Sequence, residues 1–245
     1  MKLSIVIPAY NEEKNISGGV LEEVNNYLTG QKYSWEVLLV DDASTDNTLS
    51  LLNGFAKGRP NYRVLAEKHR GKGGTVIAGM LKAKGEIVLF TDMDQATPLD
   101  QIEKFFIKFE EGSDIVIGMR SGRRGAPLIR KIMAWGFTFL RILILRLPFK
   151  DTQCGFKAFR RESAMKIFKK MKIYNDEVVA GGAAVTAGFD LEVLYIARKL
   201  GVKVAQVPVV WNHKDTERIN PVKDSVDGLR DLIKVRINAL RGMYK

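Results

Sequence analysis

The sequence predicts an α/β fold in which helices cover a mostly parallel β-sheet. Short apolar runs rich in β-branched residues alternate with segments of helical periodicity through the first half of the chain. Strands that alternate with helices of roughly ten to fifteen residues are typical of parallel sheets. Polar, carboxylate-rich segments directly follow several of the apolar runs. Because ligands bind such sheets at the carboxyl ends of the strands, the pattern also predicts a binding site along one edge.

The first half of the chain is expected to form five strands with helices between them. Apolar composition and short length predict strands at Leu3–Ile7, Trp35–Val40, Tyr62–Ala66, Glu86–Phe90 and Asp114–Gly118. The intervening helices are expected at about 11–28, 45–56, 71–83 and 99–109. Ser44 and Thr45 carry the side chains typical of helix N-caps, which supports the start of the second helix.

The pattern changes after about Met119, where basic residues and longer helices replace the regular alternation. A loop there is rich in cations, namely Arg120, Arg123, Arg124, Arg130 and Lys131. The later elements are predicted as an apolar helix at 128–147, a loop or short strand at 151–157, a helix at 189–200, a strand at 202–210 and a basic amphipathic helix at 222–243. We expect one main domain over residues 1–215, which includes the basic loop and interface helices at 120–150, followed by the basic helix at 216–245.

Composition indicates a globular protein with an anionic partner. The 245 residues are 46% hydrophobic and 27% charged, which is typical of folded proteins. The net charge of +11 predicts binding to nucleic acid, a phosphorylated ligand or a lipid surface, although a basic surface selected for solubility is the alternative. The one cysteine, Cys154, excludes an internal disulfide. No signal-peptide pattern opens the chain and no apolar run reaches the roughly 18 residues of a spanning helix, so we expect a soluble or peripheral protein.

An acidic doublet directly follows the predicted strand Glu86–Phe90. Asp92 and Asp94 are separated by one residue, so in extended backbone their side chains point the same way. Hard oxygen ligands at this spacing suit Mg²⁺ or Mn²⁺, which bind few protein carboxylates together with substrate phosphates. The doublet therefore predicts a metal site for a nucleoside diphosphate, and a solvated loop end is the alternative interpretation.

Two further polar segments follow the first two predicted strands. Tyr10 and Glu12 come after the first strand, and Asp41 precedes Ser44 at the end of the second. Carboxylates at this edge can accept hydrogen bonds from a base or a ribose, and Tyr10 can cover the base. Helix capping by Asn11 and Ser44 would equally explain those residue types.

The glycine-rich segment Gly71–Gly74 begins a predicted helix, where a cationic side chain and free N–H groups favour phosphate binding. It is not a P-loop, because that motif requires glycine in place of Ala66 and serine or threonine in place of Gly73. A tight strand-to-helix turn is the alternative. His69 and His213 have no neighbouring serine or cysteine that would suggest an acyl-transfer triad.

The apolar helix at 128–147 combines arginines with aromatic residues, including Trp135, Phe137 and Phe139. This composition favours a helix lying in a membrane interface, and the basic C-terminal helix supports the same conclusion. A core helix hairpin is the alternative.

Four motifs, in order, resemble those of family 2 glycosyltransferases with the GT-A fold. They are SIVIPAYNEE at 4–13, VDDASTDNT at 40–48, GKGG at 71–74 and DMD at 92–94. The resemblance covers essentially residues 3–215. Segments 71–80, 94–97, 151–157 and 189–192 look most like the dolichyl-phosphate β-glucosyltransferases, with the dolichyl-phosphate mannose synthases close behind. Two segments depart from the family pattern, His69-Arg70 where many relatives have asparagine and 216–218 where Ser-Lys is usual.

The resemblance implies a GT-A type, Rossmann-like nucleotide-sugar-binding sheet and assigns roles to residues that match the motifs. The nucleotide-binding residues implied are Pro8, Ala9, Tyr10, Glu12, Asp41, Ser44, Lys72 and Asp92. The implied metal ligands are Asp92, Asp94 and Gln95, with Mg²⁺ or Mn²⁺ as cofactor. Asp94, Asp190 and Arg120 would be catalytic. Arg130, Lys157 and Arg218 would face the acceptor phosphate, and Glu192 would join Asp190 in an acidic pair near the acceptor.

The activity implied is inverting transfer of a hexose, foremost glucose from UDP-glucose, to polyprenyl or dolichyl phosphate. The enzyme would be peripheral on the cytoplasmic face of the membrane and would not bind nucleic acid. A GDP-mannose-dependent dolichyl-phosphate mannose synthase and a soluble family 2 transferase with a sugar hydroxyl acceptor remain as alternatives. A basic nucleic-acid-binding module is the rival from another class, but no recognition motif supports it.

Overall fold

A computed structural model describes residues 1–120, 128–173, 187–212 and 221–244. Its centre is a seven-stranded sheet in the order β3-β2-β1-β4-β6-β5-β7. The strands are β1 Leu3–Ala9, β2 Trp35–Asp41, β3 Tyr62–Ala66, β4 Ile87–Phe90, β5 Ile115–Arg120, β6 Lys157–Arg160 and β7 Val204–Val209. All six strands predicted from the sequence are present within a few residues of their expected bounds.

The sheet is mostly parallel, as predicted. β1 pairs in parallel with both β2 and β4, β3 adds to β2, and β7 runs parallel to β5. β6 is antiparallel to its two neighbours, β4 and β5, and places Lys157 opposite Phe90. The sequence predicts only a loop or short strand at 151–157, because a four-residue strand that begins and ends with a cation lacks an apolar pattern.

The helices are α1 Glu13–Ser17, α2 Val20–Thr29, α3 Thr48–Ala56, α4 Gly71–Lys82, α5 Ile102–Glu110, α6 Leu128–Leu145, α7 Arg161–Phe168, α8 Ala187–Lys199 and α9 Pro221–Leu240. A 3₁₀ turn, Leu99–Gln101, precedes α5. The single helix predicted over 11–28 is wrong. Gly19 adopts a positive φ of 88° between α1 and α2, a conformation that glycine allows and that interrupts a helix. α7 was not predicted.

Alternating side chains of the strands build a hydrophobic core on each face of the sheet. Ile5 and Ile7 of β1 belong to the core that also contains α2, α3 and α5, whereas Val6 points to the core that contains α4, α7 and α8. Buried side chains on both faces explain why the central strands are mostly apolar. The carboxyl ends of β1, β2 and β4 therefore emerge along one edge, which positions the polar segments that follow them.

The outer surface of α6 and α9 exposes large apolar side chains. On α6 these are Trp135, Phe139, Ile142 and Leu143, and on α9 they are Val226, Leu229, Ile233, Ile237 and Leu240. α9 packs against α8 and α6. We call these nine exposed side chains the apolar face. Within the described residues, no helix is both long enough and apolar enough to cross a bilayer.

Candidate active site

The acidic doublet lies in a tight turn at the end of β4. Thr91 N–H donates to the Val6 carbonyl, which keeps the chain alongside β1 for one more residue. Gln95 then adopts a positive φ of 48°, and its side-chain Nε2 donates to the Asp92 carbonyl at 2.8 Å. The Ala96 N–H donates to Asp94 Oδ1 at 3.0 Å. The turn thus holds Asp92 and Asp94 in place through backbone and amide hydrogen bonds.

Lys72 supplies the cation that faces this doublet. It lies in the first turn of α4, and its ammonium makes an ion pair with Asp92 Oδ1. Desolvation by the surrounding protein lowers the pKa of Lys72, but attraction by Asp92, and by Asp190 and Asp94 beyond it, outweighs desolvation and raises the pKa overall. The ammonium is therefore charged at neutral pH and lies within the field of three carboxylates.

Gly155 closes the doublet from the side of β6. A Cβ atom built on this residue would lie 2.0 Å from Asp92 Oδ2. A side chain at this position is incompatible with the observed place of the carboxylate. The loop that leads into β6 therefore forms a wall against Asp92, and glycine is the residue that allows so close an approach.

A second ion pair joins β6 to α8. The Lys157 side chain is completely buried, and its Nζ donates to Asp190 Oδ1 at 2.7 Å and to the Cys154 carbonyl. Burial raises the pKa of Asp190, and the Lys157 ammonium opposes that rise without cancelling it. The resemblance assigns Lys157 to the acceptor phosphate. In the structure, the Lys157 side chain pairs with Asp190.

The segments after β1 and β2 are tied to each other at the same edge. Asn11 has a positive φ of 53°, its N–H donates to Ser44 Oγ at 3.0 Å, and its Oδ1 accepts from Thr45 N–H at 2.8 Å. Asp41 Oδ2 accepts from Ser44 N–H at 3.2 Å. The other oxygen, Asp41 Oδ1, is buried without a hydrogen-bond partner among the described residues. A buried acceptor in this state favours a ligand N–H or O–H.

Tyr10 stacks on His69, with ring centroids 4.5 Å apart and an interplanar angle of 21°. His69 Nδ1 is 2.9 Å from Asp42 Oδ2, and Arg70 N–H donates to Asp42 Oδ1 at 2.8 Å. The buried Asp42 thus fixes the start of α4 and the orientation of the imidazole. The sequence marks His69 as a departure from the family pattern, but its contact with Asp42 could not be predicted because it joins loops 27 residues apart.

Arg120 ends β5 and pairs with Asp151 in a two-bond arrangement. Nε and Nη2 donate to the two carboxylate oxygens at 2.7 and 3.0 Å, and the guanidinium lies 5.6 Å from the centre of the Trp211 ring. Burial raises the pKa of Asp151, but hydrogen bonds and attraction from Arg120 outweigh burial and lower the pKa overall. This pair holds the loop before β6 against the end of β5.

The structure therefore brings Lys72, Asp92, Asp94, Lys157 and Asp190 into one charged cluster, which we call the acid cluster. Glu192 lies elsewhere: its carboxylate accepts from Lys172 and Ile173 N–H groups and from the Tyr244 hydroxyl. The side chain of Arg130, and Arg218 and His213 as a whole, lie outside the described residues.

The acid cluster has oxygen donors that fit a divalent cation held by few protein ligands. Among the described residues, no group of three or more histidine, cysteine or acidic side chains is arranged as a metal site on its own. Asp92 already pairs with a cation, the Lys72 ammonium, and Gln95 Oε1 is buried without a partner in the described part of the chain. Mg²⁺ and Mn²⁺ complete such small donor sets with water and substrate phosphates.

Comparison with known proteins begins with a family model described as Glycosyl transferase family 2, which matches residues 4–168. The chain is 33% identical over 262 residues to a dolichyl-phosphate beta-glucosyltransferase of Dictyostelium discoideum, and the match covers 99% of this chain and 76% of the relative. It is 35% identical to dolichyl-phosphate beta-glucosyltransferase ALG5A of Trichomonas vaginalis, over 99% of this chain and 75% of the relative.

Solved structures show the same fold at lower identity. Mannosyl-3-phosphoglycerate synthase from Rubrobacter xylanophilus is 18% identical with a TM-score of 0.71, over 99% of this chain and 75% of that chain. Glucosyl-3-phosphoglycerate synthase from Mycobacterium tuberculosis, crystallised with Mn²⁺, UDP-glucose and phosphoglyceric acid, is 20% identical with a TM-score of 0.65, over 96% and 79%. These matches confirm the predicted GT-A type fold.

Proposed function

The chain belongs to glycosyl transferase family 2, and from this membership we propose that it transfers glucose from UDP-glucose to a polyprenyl or dolichyl phosphate with inversion at the anomeric carbon. The names of the curated relatives support both the sugar and the lipid phosphate. The observation that carries the proposal is the acid cluster, where the Lys72 ammonium meets Asp92 at the carboxyl end of β4, beside Asp94 and Asp190.

The edge formed by the ends of β1 and β2 would bind the nucleoside. Asp41 Oδ1 is a buried acceptor whose natural partner is the N–H of a base, and Tyr10 presents an aromatic ring already aligned by His69. Pro8, Ala9, Glu12 and Ser44 line the same segments. Lys72, in the first turn of α4, would bind the diphosphate once that group competes for its ammonium.

Asp92 and Asp94, with Gln95 Oε1 beside them, would hold Mg²⁺ or Mn²⁺. When bound, the ion neutralises the diphosphate and stabilises it as the leaving group. Asp92 would exchange its ion pair with Lys72 for this role, because one carboxylate oxygen contacts the ammonium in the ligand-free chain. Gly155 allows the loop before β6 to lie against Asp92 without a side-chain clash.

The acceptor needs little activation by a base. A phosphate monoester has a second pKa near ~6, so at pH 7 much of it is a dianion and already nucleophilic. The main barrier is the approach of two anions, which costs roughly 4 kcal/mol for unit charges at ~4 Å and an effective dielectric of 20. Arg120 and the cations that follow it in the chain, including Arg130 and Arg218, would offset that repulsion. Asp190, held by Lys157, would lie near the acceptor.

The apolar face of α6 and α9 would lie against the membrane. Exposed cations border it on α9, including Arg230, Lys234, Arg236 and Arg241. Amphipathic helices of this kind bind in the headgroup region, and each cation near an anionic leaflet contributes roughly 1 kcal/mol. Anionic lipids are concentrated in the cytoplasmic leaflet, so we place the protein peripherally on that side.

The proposal is tested by offering a panel of radiolabelled donors, including UDP-glucose and GDP-mannose, to vesicles that contain one polyprenyl phosphate. We expect label from UDP-glucose to enter the lipid fraction only when Mg²⁺ or Mn²⁺ is present. Label from GDP-mannose alone would make the protein a mannosyltransferase. Transfer to free sugar hydroxyls without any lipid product would contradict the lipid acceptor.

A further inference from the structure

Arg141 is buried, although the helix that carries it exposes large apolar side chains. α6 exposes Trp135 and Phe139 by 72% and 54%, but Arg141 on the same helix is only 3% exposed. A charged side chain is costly to bury and is retained inside a protein only with hydrogen-bond partners. The partners that Arg141 binds therefore indicate why it points inward.

Both partners of Arg141 lie in the loop between α6 and β6. Nη1 donates to the buried Thr152 Oγ1 at 2.9 Å, and Nη2 donates to the Phe149 carbonyl. Nε is buried without a partner among the described residues. The Arg141 guanidinium thus donates to two points of one loop, three residues apart along the chain, and makes no ion pair within the described residues.

The same loop forms the wall of the acid cluster. Asp151, which Arg120 holds from β5, lies between the two Arg141 contacts, and Gly155, which lies against Asp92 Oδ2, comes between those contacts and β6. Lys157, the first residue of β6, continues to Asp190. Arg141 holds this loop from α6, and Arg120 holds it from the end of β5.

We infer that Arg141 is a positioning residue for the transfer reaction: it holds loop 149–155 so that Gly155 leaves the Asp92 carboxylate in place for a metal–diphosphate ligand. The inference rests on the proposed function, because it concerns the site that would bind the donor. Arg141 also links α6, which carries four of the nine side chains of the apolar face, to the loop beside the acid cluster.

The test uses the full chain with Arg141→Met, which fills similar space without a guanidinium. Calorimetry measures the affinity for UDP with and without MnCl₂. We expect the gain in UDP affinity that Mn²⁺ provides to fall at least tenfold in the variant, while the affinity without metal stays within twofold of the wild type. Loss of the wall displaces Asp92 but not Asp41, Tyr10 or the strands that carry them.

Controls separate this role from a structural one. Arg198→Met, which removes an exposed arginine from α8, is expected to match the wild type in both affinities. Thr152→Val removes one Arg141 partner with little change of shape and should produce a smaller loss of the same kind. Arg141→Lys, which retains a donor, should restore part of the Mn²⁺-dependent gain. Thermal melting of each variant, measured in parallel, identifies any variant that does not fold. If Arg141→Met does not fold, the UDP affinities of Thr152→Val test the inference instead.

The inference would be overturned if Arg141→Met and Thr152→Val both fold and both keep the full gain in UDP affinity that Mn²⁺ provides. A parallel fall of both affinities, with and without metal, would overturn it as well, because it would indicate general loss of folded protein. Failure of the proposed function is distinguishable from either result. In that case the wild type itself would show no Mn²⁺-dependent binding of UDP and no transfer to lipid phosphate.

Discussion

At the scale of single residues, Lys72 would compete with a divalent cation for Asp92 and would also bind the diphosphate. Its ammonium contacts an oxygen of Asp92. Lys72→Met should therefore bind Mn²⁺ alone more tightly, and bind UDP in the absence of metal more weakly, each by about tenfold or roughly 1.4 kcal/mol. Both side chains are about one-third exposed, and solvent screening keeps the effect near this size.

Titration calorimetry on Lys72→Met measures the two affinities. Lys82→Met is the matched control, because Lys82 lies on the same helix and pairs with Glu67 away from the acid cluster. Equal Mn²⁺ affinity in wild type and Lys72→Met would show that Lys72 does not compete with the metal for Asp92.

Asp94 tests the charge of the doublet separately from its shape. Asp94→Asn keeps an oxygen that accepts the Ala96 N–H but removes the negative charge. We expect transfer to fall by at least 100-fold, roughly 2.7 kcal/mol of transition-state stabilisation, with an unchanged melting temperature. Asp100→Asn, an exposed aspartate six residues later, is the control. Near-normal turnover of Asp94→Asn with Mg²⁺ would exclude the metal role.

The positions of Asp92 and Asp94 could be predicted because a short apolar strand and a spacing of two residues are visible in the sequence. The burial of Arg141 and of Lys157 could not. Their partners, the Phe149 carbonyl and Asp190, are brought near only by tertiary packing. The role of Lys157 at the acceptor phosphate comes from the resemblance and stays a prediction, but the sequence does not predict where either of these two cations points.

At the scale of elements, Glu192 joins α8 to both the segment after α7 and the end of the chain. It is completely buried and accepts hydrogen bonds from Lys172 and Ile173 N–H groups and from the Tyr244 hydroxyl. Burial raises the pKa of Glu192 above its ordinary 4.5, and these hydrogen bonds only partly oppose the rise. An acid of this kind stabilises the fold most when protonated.

The stability that Glu192 contributes decreases as the pH rises. The contribution of Glu192 is complete below pH 4.5, the ordinary value, and is lost as the pH rises through the higher pKa of the folded state. Glu192→Gln cannot ionise, so its free energy of unfolding relative to wild type should increase from pH 4.5 to pH 7. Urea unfolding at both values measures the difference, and a difference independent of pH would contradict the account.

The apolar face makes a separate prediction for α6. Trp135→Ser with Phe139→Ser should weaken binding to anionic vesicles by at least tenfold, because each aromatic ring buried in the interface contributes about 1.5 to 3 kcal/mol. Both side chains are exposed in the free protein, so the free energy of unfolding should change little. Ile107→Ser, at an exposed apolar residue of α5, is the control for vesicle sedimentation. Vesicle binding equal to the wild type would remove α6 from the membrane surface.

The regular elements were predictable where periodicity is strong and not where it is short or interrupted. β1, β2 and β4 are mostly apolar and are predicted within two residues of their bounds. The break at Gly19 depends on one backbone conformation of a glycine, and β6 is fixed by pairing with β4 and β5 rather than by its own composition. Tertiary context overrides local propensity at β6.

At the scale of the whole molecule, the sheet and the apolar face are joined by one short stretch of chain. α6 ends at Leu145, and loop 149–155 reaches Asp92 before β6 begins. The donor would bind at the ends of β1, β2 and β4, and the lipid phosphate would arrive along α6 and α9. We propose that the net charge of +11 favours binding of a phosphate-bearing acceptor and an anionic membrane rather than nucleic acid.

The central claim is that the acid cluster binds a nucleoside diphosphate through a divalent cation. Calorimetry of UDP and GDP with the wild-type chain, with and without MnCl₂ or MgCl₂, tests it most directly. The account predicts that one nucleotide, foremost UDP, binds at least tenfold more tightly with metal, and that Asp92→Asn removes this gain. Absence of affinity for either nucleotide, or affinity that neither metal changes, would contradict the account.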